Sequence, residues 1–377
     1  MIQMNDLVKQ YDGIRDDVER RIAKVVRHGK FIMGPEIEEL ENKLQDYVGV
    51  KHAVTCSSGT DALLMALLAW GIGPGDAVFT TPFTFVATAE VIANLGATPV
   101  FVDIDQNSFN MNPSELEKSV KKVLEIGELK ASVIIPVDLF GLPADYEEIW
   151  KTADKYDLKI LEDGAQSFGS SLKGKKTGSL AHVGATSFFP AKPLGCYGDG
   201  GAVFTDDDEM YEILKSIRVH GKGEDKYHNV RIGLNSRLDT MQAAVLLAKL
   251  EVFDHELFLK NRIASLYHNK LQGMVQTPHV NKTDESSWAQ YSVLSQNEKE
   301  RDLFKSKLTE AGISSAIYYK TPLHLQPVFK TLGYEEGDFP VAEDISKRIL
   351  SLPMHPYLTE DEINAVVNVF SKTIEAM

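Results

Sequence analysis

Apolar residues near the start of the chain recur with the spacing of amphipathic helices. Ile14, Val18 and Ile22 are four residues apart, and Gly29 ends this stretch. A second helical pattern follows Gly34-Pro35. The sequence therefore predicts two helices before residue 50.

Short apolar segments then alternate with longer amphipathic ones. The segments AVFTT, TPVFVDID, SVIIPVDLFG and LKILED are apolar throughout, which is typical of parallel strands covered on both faces. Helical patterns such as SELEKSVKKVLEIG and ADYEEIWKTADKYD separate them. This alternation predicts an open α/β sheet. Ligands of such sheets bind beyond the carboxyl ends of the strands, so residues at those ends are candidate site residues.

The pattern changes after about residue 245. The stretch QAAVLLAKLEVFDHELFLKNRIASLYHNKL predicts a long helix or a helix pair. Shorter strands, a polar linker and further helices follow it. We therefore predict an N-terminal arm and a large α/β domain at residues 1–250, and a smaller α+β domain at residues 251–377.

Composition narrows the class of protein. Of the 377 residues, 43% are hydrophobic and 25% are charged, as in ordinary globular proteins, and the formal net charge of -14 argues against nucleic acid or an anionic membrane as partner. The N-terminus is polar, and no apolar run reaches the ~18 residues that a membrane helix needs. Two cysteines, Cys56 and Cys196, suit a reducing compartment and packing roles. We therefore expect a cytoplasmic protein.

The segment Ser57-Ser58-Gly59-Thr60 lies between a predicted strand and an almost wholly apolar helix. Free backbone N–H groups and the helix dipole at such a start favour an anion such as a phosphate. A plain helix cap would satisfy the same pattern. The segment alone therefore leaves both interpretations open.

The segment LEDGAQSFG places Asp163 at the end of an apolar strand, where a carboxylate is costly unless it is paired. Asp163 could hold a cationic ring nitrogen, and Gln166 could donate to a neighbouring oxygen. The alternative is an aspartate that caps the following turn.

Lys192 lies between Pro190 and Pro193 in a glycine-rich segment. A lysine in a stiff, apolar-flanked loop can act as a nucleophilic amine, although a surface lysine would fit the same pattern. Further along the chain, Asn235 and Arg237 precede a helix rich in small apolar residues, where a cap and a surface arginine are the alternative. No zinc pattern and no nucleotide-hydrolysis loop is present.

Taken together, the motifs SSGTDAL, TPFTFVATA, EDGAQSFG, SFFPAKPLG, YGDGGA and GLNSRLD are highly specific. The chain resembles the DegT/DnrJ/EryC1/StrS family of sugar aminotransferases, which use pyridoxal 5′-phosphate (PLP). The resemblance implies the aspartate-aminotransferase-like fold of fold type I, with a mostly parallel central sheet in the large domain.

The resemblance also implies roles at single positions. Lys192 matches the lysine that binds the cofactor covalently, and Asp163 matches the partner of its ring nitrogen. Gln166 matches the residue near the ring hydroxyl, and Phe85 matches the aromatic residue that stacks over the ring.

Phosphate ligands are implied in the same way. Gly59 and Thr60 match two of them through their N–H groups, and Ser187 matches a third through its hydroxyl. Asn235 matches a ligand that the family supplies from the neighbouring subunit. The resemblance therefore implies a homodimer with a shared active site.

Within the family, the chain looks most like enzymes that aminate C3 of UDP-2-acetamido-2-deoxy-3-oxo-glucuronate, with glutamate as the implied amino donor. Arg237 matches an arginine near the carboxylate of that UDP-sugar. The chain has Tyr318-Tyr319-Lys320 where those enzymes tend to have His-Tyr-Pro, and Asp138 where many relatives have His or Ser. We expect Tyr318, Tyr319 and Asp138 to lie near the sugar.

The sequence also bears on three other functions. The first is a C4 aminotransferase of a UDP- or dTDP-4-keto-6-deoxy sugar, which the departures from the C3 pattern keep open. The second is a non-catalytic regulatory protein with the same fold, which the intact Lys192, Asp163 and Asn235 disfavour. The third, a nicotinamide dehydrogenase, lacks its glycine fingerprint.

Overall fold

The computed structural model of the protein describes residues 1–225 and 227–377. The α-helices in these residues are α1 (Leu7–His28), α2 (Pro35–Val48), α3 (Gly59–Ala69), α4 (Ala87–Asn94), α5 (Pro113–Ile126), α6 (Tyr146–Tyr156), α7 (Asp208–Ile217), α8 (Thr240–Leu250), α9 (Phe253–Leu271), α10 (Glu298–Glu310), α11 (Pro340–Arg348) and α12 (Glu360–Glu375). The strands are β1 (His52–Cys56), β2 (Asp76–Thr80), β3 (Thr98–Phe101), β4 (Lys130–Ile134), β5 (Lys159–Asp163), β6 (Ser171–Leu172), β7 (Lys175–Lys176), β8 (Val183–Ser187), β9 (Gly201–Thr205), β10 (Asp284–Glu285), β11 (Tyr291–Leu294) and β12 (Ile349–Leu352).

The central sheet has seven strands in the order β1-β9-β8-β5-β4-β2-β3. Every neighbouring pair from β8 to β3 is parallel, whereas β9 runs antiparallel to both β1 and β8. The predicted open and mostly parallel α/β sheet is therefore confirmed. As a consequence of this order, β1, β5 and β8 all point the same way.

Helices cover both faces of this sheet, which explains why its strands are apolar throughout. In β2, Val78 packs in the apolar cluster that contains Leu67 of α3. Its neighbour Phe79 packs on the opposite face, with Leu116 of α5 and Ile149 of α6. Successive side chains of a strand point to opposite faces, so both kinds of position must be apolar here.

The C-terminal part of the chain has its own apolar cluster around α9, α10, α12 and the antiparallel pair β11–β12. The helix pair predicted after residue 245 is α8 followed by α9. The first residues of the chain also join this part, because Ile2 pairs with Ile313 and the N–H of Met354 donates to the carbonyl of Met4. The domain boundary near residue 250 stays a prediction.

Both cysteines are buried and unpaired, Cys56 among the apolar residues of α3 and Cys196 beside α8, as expected of packing residues. Among the residues described, no helix combines the length and the apolar character that crossing a membrane requires.

Candidate active site

Most of the predicted site residues meet at one edge of the central sheet. The strand β1 ends just before Ser57, β5 ends at Asp163 and β8 ends at Ser187. These three strands run in the same direction, and β5 and β8 are neighbours. The sheet therefore gathers motifs that are far apart in sequence beyond its carboxyl ends, where α/β proteins bind ligands.

The first residues of α3 and the end of β8 form a cup. Ser58 is the N-cap of α3, and its hydroxyl accepts a bond from the N–H of Asp61 at 3.1 Å. A Cβ atom added at Gly59 would lie 2.6 Å from the Cβ of Ser187, so only glycine allows this approach. The N–H groups of Gly59 and Thr60 are ones that a helix leaves without partners in its own first turn. With the hydroxyl of Ser187 beside them, they suit a phosphate.

Asp163 is buried at the end of β5. The hydroxyl of Thr88 donates to its Oδ2 at 2.7 Å, and the N–H of Ala165 donates to its Oδ1 at 3.2 Å. Burial raises the pKa of Asp163, whereas these two donors and the charge of Lys192 lower it. The site therefore supplies the donors and the opposite charge that a buried carboxylate needs to stay ionised.

Lys192 is half-buried, and a hydrogen bond of 2.8 Å from its N–H to the carbonyl of Phe189 holds its turn. Burial lowers the pKa of its amine, and the carboxylate of Asp163 opposes that shift. A lysine with a lowered pKa is available as a neutral nucleophile and base. The structure therefore favours the functional interpretation of Lys192 over a surface lysine.

The amide of Gln166 is fixed on both sides. The N–H of Phe140 donates to its Oε1 at 2.8 Å, and its Nε2 donates to the hydroxyl of Tyr319 at 3.1 Å. The ring of Tyr319 packs edge-on against Phe83 and against Tyr318. The C-terminal part of the chain thus reaches the site through Tyr319. An amide nitrogen carries two hydrogens, so one donor of Gln166 remains for a ligand oxygen.

Phe85 lies at the surface beside the site, with 56% of its side chain exposed. Its carbonyl accepts a bond from the N–H of Thr88, the same residue that holds Asp163. This places Phe85 just before α4 and near the carboxylate, as a ring that stacks over the cofactor requires. Its stacking role stays a prediction.

Asn235 is not brought into the site of its own chain. It is exposed and pairs with Val219, whereas the next residue, Ser236, reaches Ser57 at the cup. Arg237 is half-buried, and none of the ion pairs among the described residues includes it. An exposed asparagine fits the expectation that Asn235 serves a neighbouring subunit.

The contacts of Asp138 show a structural role, and the expectation that it lies near the sugar stays a prediction. Asp138 is fully buried, and both oxygens are occupied by protein donors: the N–H of Ala144 at 2.9 Å, the hydroxyl of Tyr146 at 3.0 Å and that of Ser167 at 2.9 Å. Burial raises the pKa of Asp138 to about 7, although the hydrogen bonds that it accepts from Ala144, Ser167 and Tyr146 lower it. Asp138 therefore ties the segment between β4 and α6 to the turn after β5.

Sequence reasoning missed Thr88 as the donor to Asp163, Ser236 as a contact of the cup, and the bond between Tyr319 and Gln166. Thr88 lies within the motif TPFTFVATA that was singled out for Phe85, so the signal was present but not used. The other two contacts join residues more than 150 positions apart, so no local sequence pattern predicts them.

These side chains fit PLP. The cup at Gly59 is too narrow for a Cβ and offers N–H donors to a phosphate, Asp163 can pair with the ring nitrogen, and Gln166 has a donor free for the ring oxygen. Lys192 would bind the aldehyde. Among the described residues, no cluster of His, Cys, Asp or Glu could hold a metal ion.

Comparison with known proteins agrees with this geometry. A family model described as the DegT/DnrJ/EryC1/StrS aminotransferase family matches residues 12–371. A crystal structure of a DegT DnrJ EryC1 StrS aminotransferase from Brucella abortus is 50% identical and has a TM-score of 0.96, with 99% of each chain covered. NtdA from Bacillus subtilis, solved with the bound cofactor pyridoxamine phosphate (PMP), has a TM-score of 0.88 at 26% identity, with 96% of this chain and 82% of that chain covered.

Two characterised relatives span nearly the whole chain. UDP-2-acetamido-2-deoxy-3-oxo-D-glucuronate aminotransferase from Pseudomonas aeruginosa is 44% identical, over 97% of this chain and 98% of the relative. A pleiotropic regulatory protein from Geobacillus stearothermophilus is 42% identical, over 97% and 96%. With its fold type I architecture and a site that fits PLP, the chain belongs to the DegT/DnrJ/EryC1/StrS aminotransferase family.

Proposed function

We propose that the protein transfers an amino group from glutamate to C3 of UDP-2-acetamido-2-deoxy-3-oxo-glucuronate, with PLP held at Lys192. One observation carries the catalytic part of this proposal. Asp163 and Lys192 lie at the same edge of the sheet as a buried carboxylate and an amine whose pKa is lowered, and each shifts the pKa of the other. That pairing suits covalent amine chemistry on a cationic ring.

The chain's own residues divide the work. Bound PLP supplies an electron sink for the bond that breaks at the carbon bearing the amine. Asp163 holds the proton on the ring nitrogen. Lys192 Nζ accepts a proton from Cα of the amino donor and, in the second half-reaction, returns one to C3 of the sugar. Gln166 orients the cofactor ring by a hydrogen bond to the ring hydroxyl.

The choice of a 3-keto uronate rests on relatives and on one arginine. The Pseudomonas relative is named for this substrate. Arg237 is half-buried, and none of the ion pairs among the described residues includes it, so its guanidinium could bind the carboxylate of a uronate in a bidentate pair. Tyr318 and Tyr319 would line the sugar subsite, because Tyr319 already touches Gln166.

Large apolar side chains that stay exposed in three segments of the chain support a homodimer with a shared active site. Ile232 is the most exposed of them, with 85% of its side chain open to water, and several such side chains are typical of a surface that a partner covers. We call this group the apolar rim; its members are Phe31, Ile32, Met33, Phe189, Val230 and Ile232. The rim includes residues on the same loop as Asn235, so a second subunit that covers the rim could receive Asn235 from it.

We also propose that the protein works in the cytoplasm, because Cys56 and Cys196 remain free and buried rather than forming a disulfide.

The two-domain division at residues 1–250 and 251–377 is proposed because the C-terminal part has a separate apolar cluster. The strand pairing of Ile2 with Ile313 adds the first residues of the chain to that smaller domain.

Colour tests the cofactor assignment. The purified protein, with PLP added, should show the visible absorption band of the lysine-bound cofactor, and glutamate should convert it to the band of PMP. Lys192→Ala should abolish the first band while the protein stays folded. A colourless wild type that gains no band with PLP would contradict the proposal and would favour a regulatory role such as that of the Geobacillus relative.

Turnover tests the substrate. The wild type should aminate the 3-keto uronate UDP-sugar with glutamate, and turnover of only a 4-keto-6-deoxy sugar would refute the C3 assignment. Arg237→Ala should reduce kcat/KM for the uronate by about 10- to 100-fold, the value of a charge-assisted bidentate pair. It should affect a 3-keto sugar without the carboxylate far less. Arg231→Ala, an exposed arginine of the same segment, is the matched control.

A further inference from the structure

A buried ion pair contacts β1 close to the cup at Gly59 and takes no part in the proposed reaction. Arg218 Nη1 is 2.5 Å from Glu41 Oε1, with side chains only 5% and 14% exposed. Arg218 follows the end of α7, and Glu41 lies in α2. Removing two charges from water is costly, so a pair of this kind calls for an explanation beyond stability.

Both partners form hydrogen bonds with one residue, Thr55. Its N–H and its hydroxyl each donate to Glu41 Oε1 at 2.8 Å, and its carbonyl accepts a bond from Arg218 Nη1 at 3.0 Å. The strand β1 is at the edge of the central sheet, with β9 on one side only. The ion pair therefore binds the open edge of β1 two residues before Ser57, where the cup begins.

The main chain of Arg218 supports the cup from a second direction. Its carbonyl accepts a bond of 3.1 Å from the N–H of Ser236. The buried hydroxyl of Ser236 lies 3.4 Å from the N of Ser57 and 3.3 Å from its Oγ. Ser57 Oγ in turn donates to Asp61 Oδ2 at 2.5 Å, within the first turn of α3. One residue thus connects β1, the cup and the segment that carries Asn235.

We propose that Arg218 and Glu41 are positioning residues that hold the cup in the geometry that selects the phosphate of PLP. The pair fixes Thr55, Ser236 fixes Ser57, and together they set the direction of the N–H groups at the start of α3. Hydrogen bonds at a helix N-terminus favour an anion only when those N–H groups point at it. The inference rests on the proposed phosphate position at Gly59 and Thr60.

Affinity for PLP compared with pyridoxal, which lacks the phosphate, separates this role from a merely structural one. Titrations of the apoprotein, followed by absorption below the unfolding temperature, give both dissociation constants. Arg218→Met should raise the constant for PLP by about tenfold or more, as expected when a charged hydrogen-bond network is broken, and should barely change that for pyridoxal. Arg218→Lys keeps the charge but loses the forked guanidinium. Its dissociation constant for PLP should lie between those of the wild type and Arg218→Met.

Two further variants keep the test decisive. Arg301 is an arginine of the C-terminal part that is equally buried, so Arg301→Met controls for the general cost of removing a buried guanidinium. It should leave the ratio of the dissociation constants for PLP and for pyridoxal at the wild-type value. Ser236→Ala removes one hydroxyl without touching the ion pair and carries the test if the Arg218 variants do not fold. It should also raise the dissociation constant for PLP relative to that for pyridoxal.

The outcomes are distinct. An unchanged ratio in folded Arg218→Met, or an equal change in Arg301→Met, would overturn the positioning role. If the Arg218 variants do not fold, an unchanged ratio in Ser236→Ala would overturn it instead. A wild type that binds pyridoxal as tightly as PLP would refute the phosphate position itself, which is a failure of the proposed function.

Discussion

At the scale of single residues, the hydroxyl of Thr88 sets the charge of Asp163. Burial raises the pKa of this carboxyl, and the bond of 2.7 Å from Thr88 is the largest of the effects that lower it. Without that donor, Asp163 would hold a proton up to a higher pH. It would then no longer pair as an anion with a protonated ring nitrogen.

Thr88→Val should therefore move the acidic limb of the pH profile of kcat/KM upward by about one pH unit, because one hydrogen bond to a charged group contributes about 1.5–3 kcal/mol. Thr88→Ser retains the hydroxyl and should keep the wild-type profile. Thr84→Val is a control on the same segment, since Thr84 contacts Thr88 but not Asp163. An acidic limb that stays in place in Thr88→Val would show that Asp163 does not depend on this bond.

At the scale of elements, the packing of α3 against the end of β8 decides whether the cup can form. Gly59→Ala would place a Cβ 2.6 Å from Ser187, and the helix would have to shift. We expect a loss of PLP affinity together with a destabilisation of about 1–3 kcal/mol from overpacking.

Gly13→Ala is the matched control for that substitution. Gly13 lies inside α1, and a Cβ there meets no atom within 4 Å. Alanine should stabilise α1 by about 0.5–1 kcal/mol, since glycine is unfavourable in a helix. Thermal unfolding and PLP titration of both variants provide the comparison. Equal PLP affinity in Gly59→Ala and the wild type would contradict the narrow cup.

The parallel strands of the central sheet were largely predictable, because burial on both faces makes them apolar throughout, whereas the short strands β7 and β10 are polar. The order of the sheet and the reversal of β9 were not predictable, since hydrophobic periodicity carries no information about which strands pair. Asp138 shows the same limit at the site. Its match to a family position suggested a place near the sugar, whereas its partners, Tyr146 and Ser167, depend on how the start of α6 packs against the turn after β5.

Family motifs, in contrast, predicted which residues the fold gathers at one edge of the sheet. Asp163, Gln166 and Lys192 each belong to a short segment with its own turn, and their roles toward the cofactor stay predictions. The bonds that hold those segments together, such as that between Arg218 and Glu41, connect positions 177 residues apart. These bonds form only when the sheet is assembled, so no local sequence pattern could predict them.

At the scale of the whole molecule, the exposed Asn235 and the apolar rim support the proposal that one chain contains an incomplete site. The protein carries a net charge of -14, yet PLP, glutamate and the UDP-sugar are all anions. Donors must therefore be concentrated locally, and a second subunit is one source of them. If Asn235 crosses to the partner, a site is built from Lys192 of one chain and Asn235 of the other.

Mixing two inactive variants tests this arrangement. Lys192→Ala and Asn235→Ala, dissociated and reassociated in equal amounts, should recover activity, because a mixed dimer has one doubly damaged site and one intact site. Random pairing makes about a quarter of all sites intact in a closed dimer. Lys192→Ala mixed with Asp163→Asn is the control, since both residues act within one chain and no intact site can form. Sedimentation should confirm the dimer in both mixtures, so recovery in neither mixture, or in both, would exclude a shared site.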